Sequence, residues 1–253
     1  MDDLQLLADL HGQTERQGPG GDAETCRSIE LSGLLNQPGL KIADIGCGTG
    51  AATLVLAREL DAAITAIDFL PAFLETLKAR ARQAGFAERV TTREASMDAL
   101  PFSPEELDAI WSEGAIYNIG FEQGVRTWRR FLKPGGILAV SELTWLTNSR
   151  PAEIEAHWHS EYAEVDTASA KLAVLERNGY TPVGYFVLPE QCWLDAYYRP
   201  LQARFASFLA AHGSSAAAQA IIANEVREIG LYERYRSYFS YGYYIARKTR
   251  DVS

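Results

Sequence analysis

The sequence predicts an α/β fold in which a doubly wound, seven-stranded and mostly parallel sheet carries helical lid elements. Three observations lead to this prediction: short apolar runs alternate with helical patterns from Lys41 to Leu143, a glycine-rich turn joins the first run to the first helix, and a strand pattern closes the chain. Strands that alternate with helices are joined by crossovers, so we expect a parallel sheet with helices on both faces.

The elements of the first half follow from these patterns in order. Lys41–Ile45 is a short buried strand, and Ala51–Leu60 has the apolar spacing of a helix that packs on a sheet. A second strand, "AAITAID", ends at Asp68, and Pro71 opens a helix that stops at Gly85. The remaining predicted elements of this half are strands at "RVTTREA" and "LDAIW", a helix over "GVRTWRRFL", a turn at "KPGG" and a fifth strand at "GILAVSEL".

The second half is expected to complete the sheet and to cover it. Two stretches, "AEIEAHWHSEY" and "SAKLAVLERNGY", have helical patterns, and "TPVGYFVLP" follows as the sixth strand. From Trp193 to about Arg236 the chain is helical and rich in Tyr, Phe and Ala, and "YFSYGYYIARK" is the closing strand. These patterns predict a single domain with a lid.

Composition limits the classes of function. The 253 residues carry a formal net charge of −9, which repels nucleic acid and anionic membranes, so we expect neither as a partner. The three cysteines are scattered without a C-x-x-C pair, and no disulfide framework or metal site is expected. The N-terminus lacks a signal pattern, and no apolar run approaches the ~20 residues of a membrane span. We therefore expect a cytoplasmic protein.

The glycine loop after the first strand is ambiguous on its own. Gly46, Gly48 and Gly50 match G-x-G-x-G, while Ala51 completes the G-x-G-x-x-A form of a dinucleotide fingerprint. Asp44 stands where a dinucleotide-binding strand carries an apolar residue, and a carboxylate there suits a ligand with ammonium or sulfonium charge. The acid at position 68, at the end of the second strand, is placed to accept hydrogen bonds from both hydroxyls of a ribose.

Five segments together resemble the class I S-adenosylmethionine-dependent methyltransferases. They are "DIGCGTG", "IDF", "SMDALPF", "LDAIWSEGAIYNIGF" and "LKPGGILAVSE", which occur in the family's order and with its spacing between Lys41 and Leu143. The segment "SEGAIYNIGF", followed much later by "LPEQCW", is similar to bacterial small-molecule enzymes near the ubiquinone/menaquinone-biosynthesis methyltransferase branch. The resemblance implies a Rossmann-like core at 41–145, an N-terminal helical or lid segment at 1–40, and sheet completion with a helical acceptor-binding lid at 146–253.

The resemblance also implies which residues hold S-adenosylmethionine. The three loop glycines form the turn beside the methionyl part, the acid of the second strand holds the ribose, and Phe69 lies against the adenine. Ser96 and Met97 border the adenine, although many relatives have a Gly-Asp pair just before that point where this chain has Ala95-Ser96. The candidate cofactor-binding residues are Asp44, Gly46, Cys47, Gly48, Gly50, Asp68, Phe69, Ser96, Met97, Ser112 and Glu113.

The segment after the fourth strand is expected to border the transfer site. Glu113, Tyr117 and Asn118 are the candidate catalytic residues, because that loop faces the crevice at the carboxyl end of the sheet. The structural alternative stays open: Tyr117 packs in the core, and Asn118 caps the helix that begins near Phe121. This chain has Ser112-Glu113-Gly114-Ala115 where enzymes that methylate exocyclic or amide nitrogens often carry [DN]-P-P-[YF], which disfavours DNA-amino and glutamine methylation.

Other positions add hypotheses about the acceptor. If it is a hydroxyl or thiol, a base is needed, and the candidates by residue type are Glu113, Glu142, His157 and His11. The glycine-rich stretch Glu15–Gly21 is either a lid over the cofactor or a linker. The aromatic residues that either line an acceptor pocket or pack in the core are Trp193, Tyr197, Tyr198, Phe205 and Phe208.

The leading functional hypothesis is a methyltransferase for a small-molecule acceptor, with a homodimer as a candidate assembly. The alternatives are transfer of another part of the same cofactor, a non-catalytic S-adenosylmethionine-binding protein, and a nicotinamide-dependent oxidoreductase, because a fold does not fix its chemistry.

Overall fold

The computed structural model describes residues 3–249, with side chains described from residue 5 onward. Its centre is one sheet of eight strands, of which seven form a continuous path and one short strand pairs outside it. Along the path the first five strands in chain order are parallel, and the last strand of the chain lies antiparallel between the fifth and the seventh. The predicted doubly wound, mostly parallel sheet is confirmed.

The first half of the chain supplies the parallel strands. Each of the first two crossovers is a helix that begins directly after a short loop at the carboxyl end of a strand, and Pro71 occupies the first turn of the second of these helices. The elements are α1 (Asp3–His11), α2 (Asp22–Ser32), β1 (Leu40–Ile45), α3 (Ala51–Glu59), β2 (Ala62–Asp68), α4 (Pro71–Gln83), β3 (Val90–Glu94), β4 (Leu107–Glu113), α5 (Phe121–Trp128) and β5 (Leu132–Trp145).

The second half adds the antiparallel edge and a helical layer. A π-helical turn at Leu194–Tyr198 joins two short helices, and the longest helix of the described chain follows. The elements are α6 (Ala152–Glu161), β6 (Asp166–Thr167), α7 (Ala168–Arg177), β7 (Tyr180–Val187), α8 (Glu190–Trp193), α9 (Arg199–Gln202), α10 (Phe205–Ala211), α11 (Ala216–Tyr235) and β8 (Phe239–Lys248).

Two of the differences from the predicted element boundaries bear on the candidate site. β4 continues to Glu113, because Ser112 and Glu113 pair with Val140 and Ser141 of β5. The stretch "KPGG" is not a separate turn but an irregularity inside β5, where the register with β4 shifts between Leu107 and Ala109. Both changes lengthen the central ladder and carry Glu113 to its carboxyl end.

Apolar side chains cover both faces of the sheet, which is why the central strands are apolar on both sides. Trp111 and Ile137 belong to the core beneath α1, α3 and the C-terminal helices, and Ile110 and Leu138 face the core beneath α5 and α7. Adjacent residues of one strand point to opposite faces, so the alternation places each in a different core. The polar groups that remain at the carboxyl edge form the candidate site.

Candidate active site

The glycine loop between β1 and α3 is a turn that side chains cannot enter. Gly46, Gly48 and Gly50 have φ values of 70°, 54° and 89°, a region that favours glycine. A Cβ on Gly46 would lie 2.4 Å from Cβ of Ala115, and one on Gly48 would lie 2.3 Å from Oε1 of Gln17. The loop therefore provides a close backbone approach, as the sequence predicted.

The N–H groups of this loop are used within the protein. The Gly46 N–H donates to the Ile67 carbonyl at 2.8 Å, Gly48 donates to Oδ2 of Asp68 at 2.9 Å, and the N–H of Thr49 donates to Oε1 of Gln17 at 2.8 Å. A dinucleotide fingerprint needs such groups free to bind a pyrophosphate. Their commitment argues against that interpretation of the loop.

Asp44 is a fully buried carboxylate at the floor of the site. Its Oδ2 accepts a hydrogen bond from Oγ1 of Thr53 at 2.5 Å. The pKa of Asp44 is raised to about 7, mainly by burial. The negative charges of Glu113 and Asp68 contribute to this rise, and the hydrogen bond from Thr53 opposes it. A cationic ligand beside Asp44 would favour its ionised form.

Glu113 ties three parts of the chain together at the end of β4. Its Oε1 accepts hydrogen bonds from Oγ1 of Thr25 at 2.7 Å and from the hydroxyl of Tyr243 at 2.9 Å. Its Oε2 accepts from Nη1 of Arg16 at 3.2 Å, and Arg16 also pairs with Asp22. An ion-paired carboxylate held by three donors has a fixed position, which suits it to binding a ligand.

A first cavity, which we call the loop cavity, lies where these groups meet. Asp44, Glu113 and the glycine loop form one wall, and the N-terminal segment Arg16–Pro19 forms the other. Gln17 fixes this segment, because its amide donates to the carbonyls of His11 and Thr14 while its oxygen accepts from the loop. The glycine-rich stretch thus lies against the loop, and its role as a lid over the cofactor stays a prediction. The lining residues are Arg16, Gln17, Gly18, Pro19, Asp44, Gly46, Cys47, Gly48, Ala51, Ala52, Glu113 and Gly114.

Asp68 and Phe69 stand beside the loop at the end of β2. The two carboxylate oxygens of Asp68 accept from the N–H groups of Gly48 and Leu70, at 2.9 Å and 3.0 Å, which fixes the side chain and leaves lone pairs for a further donor. Phe69 is 52% exposed although it is a large apolar side chain. Neither residue lines the loop cavity, but the hydrogen bond from Gly48, which does line it, places Asp68 beside the cavity.

The other residues assigned to the cofactor have different surroundings. Ser96 is exposed and donates to Oδ1 of Asp98 at 2.5 Å, so an acid does stand at this point, two residues later than in many relatives. The carbonyl of Met97 accepts from Nε1 of Trp128 at 2.9 Å. Ser112 is fully buried in β4 with an unpartnered hydroxyl, outside the wall of the loop cavity.

A second cavity, which we call the aromatic cavity, continues from the first. The two share Gln17, Gly18, Pro19 and Gly114, and the second has an empty volume of about 750 Å³. Most of its wall comes from the part of the chain after residue 145, which the sequence assigned to the acceptor. The remaining lining residues are Tyr117, Leu143, Trp158, Glu161, Tyr162, Trp193, Tyr197, Glu228 and Tyr241.

The structure selects among the aromatic candidates. Trp193 and Tyr197 line the aromatic cavity, whereas Tyr198 is buried behind it and donates to Oε1 of Glu228 at 2.9 Å. Phe205 and Phe208 are not part of the wall, and Phe208 packs against His212 instead. The sequence grouped all five by their aromatic density, but the structure divides them among α8, the π-helical turn and α10.

Tyr117 and Asn118 have separate surroundings. Tyr117 is 42% exposed, lines the aromatic cavity and meets Tyr162 edge to face with ring centroids 6.0 Å apart. Asn118 lines neither described cavity, and its amide donates to the carbonyl of Ala115 at 2.9 Å within the short helical turn Ile116–Ile119. These surroundings give Tyr117 access to a ligand and give Asn118 a local structural contact.

The candidate bases lie outside the cavities, apart from Glu113. Glu142 is buried next to Lys171, and burial raises its pKa to about 7. His11 faces Glu225 with its Nε2 at 3.2 Å, and burial lowers the pKa of His157. Because none of these three lines either cavity, proximity does not favour any of them as the base.

The comparisons with known proteins agree with this geometry. Residues 42–136 match the family model described as a methyltransferase domain. This part of the chain is therefore similar to a methyltransferase domain. The match begins within β1 and ends within β5, so it contains the glycine loop, Asp68 and Glu113.

Two curated relatives match the same region. The chain is 33% identical over 106 residues to the methyltransferase GfsG of Streptomyces halstedii, across 42% of this chain and 38% of that protein. It is 30% identical over 121 residues to the ubiquinone/menaquinone biosynthesis C-methyltransferase UbiE of Geotalea daltonii, across 47% of this chain and 52% of that protein. The chain thus spans about half or less of the length of these relatives.

A solved structure matches nearly the whole chain. The S-adenosylmethionine-dependent methyltransferase of Geobacter sulfurreducens, solved with S-adenosyl-L-homocysteine, superposes with a TM-score of 0.83 at 22% identity, covering 96% of this chain and 97% of that one. The methyltransferase domain and the part that follows it therefore share one known fold. Within residues 3–249 no helix has the length and apolar character to span a membrane.

Proposed function

We propose that the protein is an S-adenosylmethionine-dependent methyltransferase for a small-molecule acceptor. The observation that carries the proposal is the continuity of the two cavities, which share Gln17, Gly18, Pro19 and Gly114. An acid-lined cavity at a glycine loop suits a cationic cofactor, and the aromatic cavity beside it suits an organic acceptor. Two reactants held in adjoining cavities have the proximity that transfer between them needs.

The loop cavity fits the methionyl end of the cofactor. Gly46 and Gly48 leave space that a Cβ would fill, and Asp44 and Glu113 provide negative charge for the ammonium and sulfonium groups. Asp68 has free lone pairs for ribose hydroxyls, and the exposed ring of Phe69 offers a surface for the adenine. Bound there, the cofactor would supply an electrophilic methyl group on sulfur.

The chain's own residues would then align and shield the reactants. Arg16 holds Glu113 in place, and Gln17 keeps the N-terminal segment over the loop, so water is excluded from the junction of the cavities. Tyr117 and Gly114 border that junction from the side of β4. Positioning of this kind can supply most of the acceleration in a displacement reaction, without a dedicated base.

Calorimetry with S-adenosylmethionine, S-adenosylhomocysteine and NAD tests the cofactor. We expect both sulfur compounds to bind and NAD to give no heat, because the loop N–H groups are already used. Binding of NAD alone would overturn the proposal in favour of an oxidoreductase.

An assay for S-adenosylhomocysteine release, with mass spectrometry of the product, tests the reaction over a panel of phenols, thiols, amines and quinone precursors. A product heavier by one methyl group supports methyl transfer. Transfer of another fragment of the cofactor, or binding without turnover across the panel, would favour the alternative functions.

We also infer a cytoplasmic site of action, in line with the three free thiols of the protein. Analytical ultracentrifugation will test the candidate homodimer.

A further inference from the structure

The aromatic cavity combines ring walls with negative charge. Six of its lining side chains are Tyr or Trp, and its two ionisable carboxylates are Glu161 and Glu228. Among the described residues, no Lys, Arg or His lines it. A neutral aromatic acceptor would pack against the rings, but it would have no charge attraction to the carboxylates.

Contacts with neighbouring side chains fix the positions of these rings. Trp193 stacks on Tyr232 with centroids 4.6 Å apart, and its Nε1 donates to Oγ of Ser240 at 2.9 Å. Tyr241 meets Trp193 edge to face at 5.0 Å, and Tyr197 is backed by the ring of His11 at 6.1 Å. Walls fixed in this way lose little conformational freedom when a ligand binds.

Glu228 is the carboxylate with the least compensation. Its Oε1 accepts from the hydroxyl of Tyr198, and it forms no salt bridge with any described residue. Its surroundings add further negative charge, because Glu225 and Glu161 lie near it, and the neighbouring His11 is itself hydrogen-bonded to Glu225. Burial raises the pKa of Glu228 to about 7, and the charge of Glu225 adds to the rise.

We propose that the aromatic cavity binds a small organic ammonium cation, with Glu228 as its counter-charge and Tyr117, Trp193 and Tyr241 among its ring walls. The proposal rests on the proposed function, because it names the class of the acceptor for the same site. If the nitrogen itself receives the methyl group, the ammonium would first give its proton to the ionised Glu228 carboxylate, and the neutral amine would then take the methyl group and release S-adenosylhomocysteine. A cation over an aromatic face is attracted by the ring quadrupole, and the attraction grows when both are removed from water. The same cation would favour the ionised form of Glu228, so the rings and the carboxylate act on one ligand.

Trp158 adds a second requirement for the ligand. Its side chain is 9% exposed, it lines the cavity, and its Nε1–H has no hydrogen-bond partner among the described residues. A buried indole N–H usually finds an acceptor. An ammonium compound that also carries a hydroxyl or carboxylate oxygen would satisfy it.

The test compares choline with its neutral isostere 3,3-dimethylbutan-1-ol, which has the same shape without the charge. Calorimetry at pH 8 is run on the full chain, with and without saturating S-adenosylhomocysteine. We expect choline to bind at least tenfold more tightly than the alcohol. Equal affinity, or no detectable choline binding at tens of millimolar, would overturn the inference.

Four variants locate the effect. Glu228→Gln keeps the shape of the side chain and should weaken choline binding at least fivefold, while Glu233→Gln removes an exposed carboxylate from the same helix α11 and should change it less than twofold. Tyr117→Leu should weaken choline binding several-fold, and Tyr117→Phe should restore it because the ring returns. Choline binding that is unaffected by Glu228→Gln would also contradict the proposal.

The cofactor titration separates this inference from the proposed function. If S-adenosylhomocysteine binds and choline shows no preference over the alcohol, the acceptor class is wrong and the cofactor site stands. If choline binds with the expected dependence on Glu228 and S-adenosylhomocysteine does not bind, the cavity is a cation site and the methyltransferase proposal fails.

Discussion

Replacing Asp44 by Asn should stabilise the free protein in alkaline solution and weaken cofactor binding. Asp44 is buried, and its pKa is raised from 3.8 to about 7, mainly by burial. Because the pKa is higher in the folded chain, the folded state retains a proton that the unfolded chain has already released between these pH values. Stability from this group is therefore greatest at low pH and falls as the pH rises toward 7.

The size of the effect follows from the shift. Each pKa unit corresponds to about 1.36 kcal/mol, so the free energy of unfolding should fall by roughly 2.5 kcal/mol between pH 5 and pH 8 because of Asp44 alone. In Asp44→Asn this part of the pH dependence disappears. The amide oxygen still accepts from Thr53, so the difference between the two pH profiles isolates the carboxylate.

Urea unfolding at pH 5 and pH 8, without ligand, measures this difference. Glu30→Gln is the matched control, because it removes an exposed carboxylate on α2 and should leave the pH profile parallel to that of the native chain. Calorimetry with S-adenosylmethionine should show at least tenfold weaker binding to Asp44→Asn, since a hydrogen bond to a charged group contributes roughly 1.5–3 kcal/mol. Parallel stability profiles for Asp44→Asn would refute the raised pKa, and unchanged affinity would remove Asp44 from the cofactor site.

Five further substitutions test the remaining parts of the site. Asp68→Ala should weaken S-adenosylhomocysteine binding tenfold to several hundredfold by calorimetry with an unchanged circular dichroism spectrum, because roughly 1.5–3 kcal/mol is lost for each hydrogen bond to the carboxylate. Gly48→Val should abolish binding, because its Cβ would displace the Gln17 amide and its φ of 54° resists a β-branched residue; a folded variant with native affinity would reduce the loop to a structural turn. Glu113→Gln should lower both cofactor affinity and turnover by about tenfold or more, because the ion pair with Arg16 is lost, and an effect on turnover alone would contradict a binding role. Tyr117→Leu should lower turnover with little change in cofactor affinity, whereas Asn118→Ala should lower the melting temperature and leave turnover of the folded fraction intact; the reverse pattern would place Asn118 rather than Tyr117 at the acceptor.

The positions of the glycine loop and of the acids beside it could be predicted from the sequence because their determinants are local. A glycine turn between a buried strand and a helix, with acids at the ends of β1 and β2, lies within thirty positions of the chain, and the parallel topology then brings these ends to one edge. The predicted strand ending at Asp68 and the helix beginning at Pro71 have the observed boundaries. Short-range pattern and topology were sufficient there.

The contacts made by distant segments could not be derived in this way. Arg16 meets Glu113 across 97 positions, and Glu228 reaches the aromatic cavity from α11 only because the C-terminal helices pack over the sheet. Periodicity tells which residues share a helix face, but it does not tell which partner that face meets. The glycine-rich composition of Glu15–Gly21 marked a segment that can fold closely over a surface, without indicating that Gln17 would bind the loop.

The distribution of acids connects the two cavities. The net charge of −9 does not say where the acids lie, but four of them, Asp44, Glu113, Glu161 and Glu228, line the two adjoining cavities. Among the described residues, Arg16 is the one lysine or arginine in these walls. Placing a sulfonium cofactor beside an ammonium acceptor would bring like charges together in a medium that screens them poorly. Carboxylates on the cofactor side and on the acceptor side lower that repulsion, and each ligand then has a counter-charge of its own. In the free protein these buried carboxylates lack a cationic partner, and the pKa values of Asp44 and Glu228 are therefore raised. Binding of the two cations would lower both pKa values again.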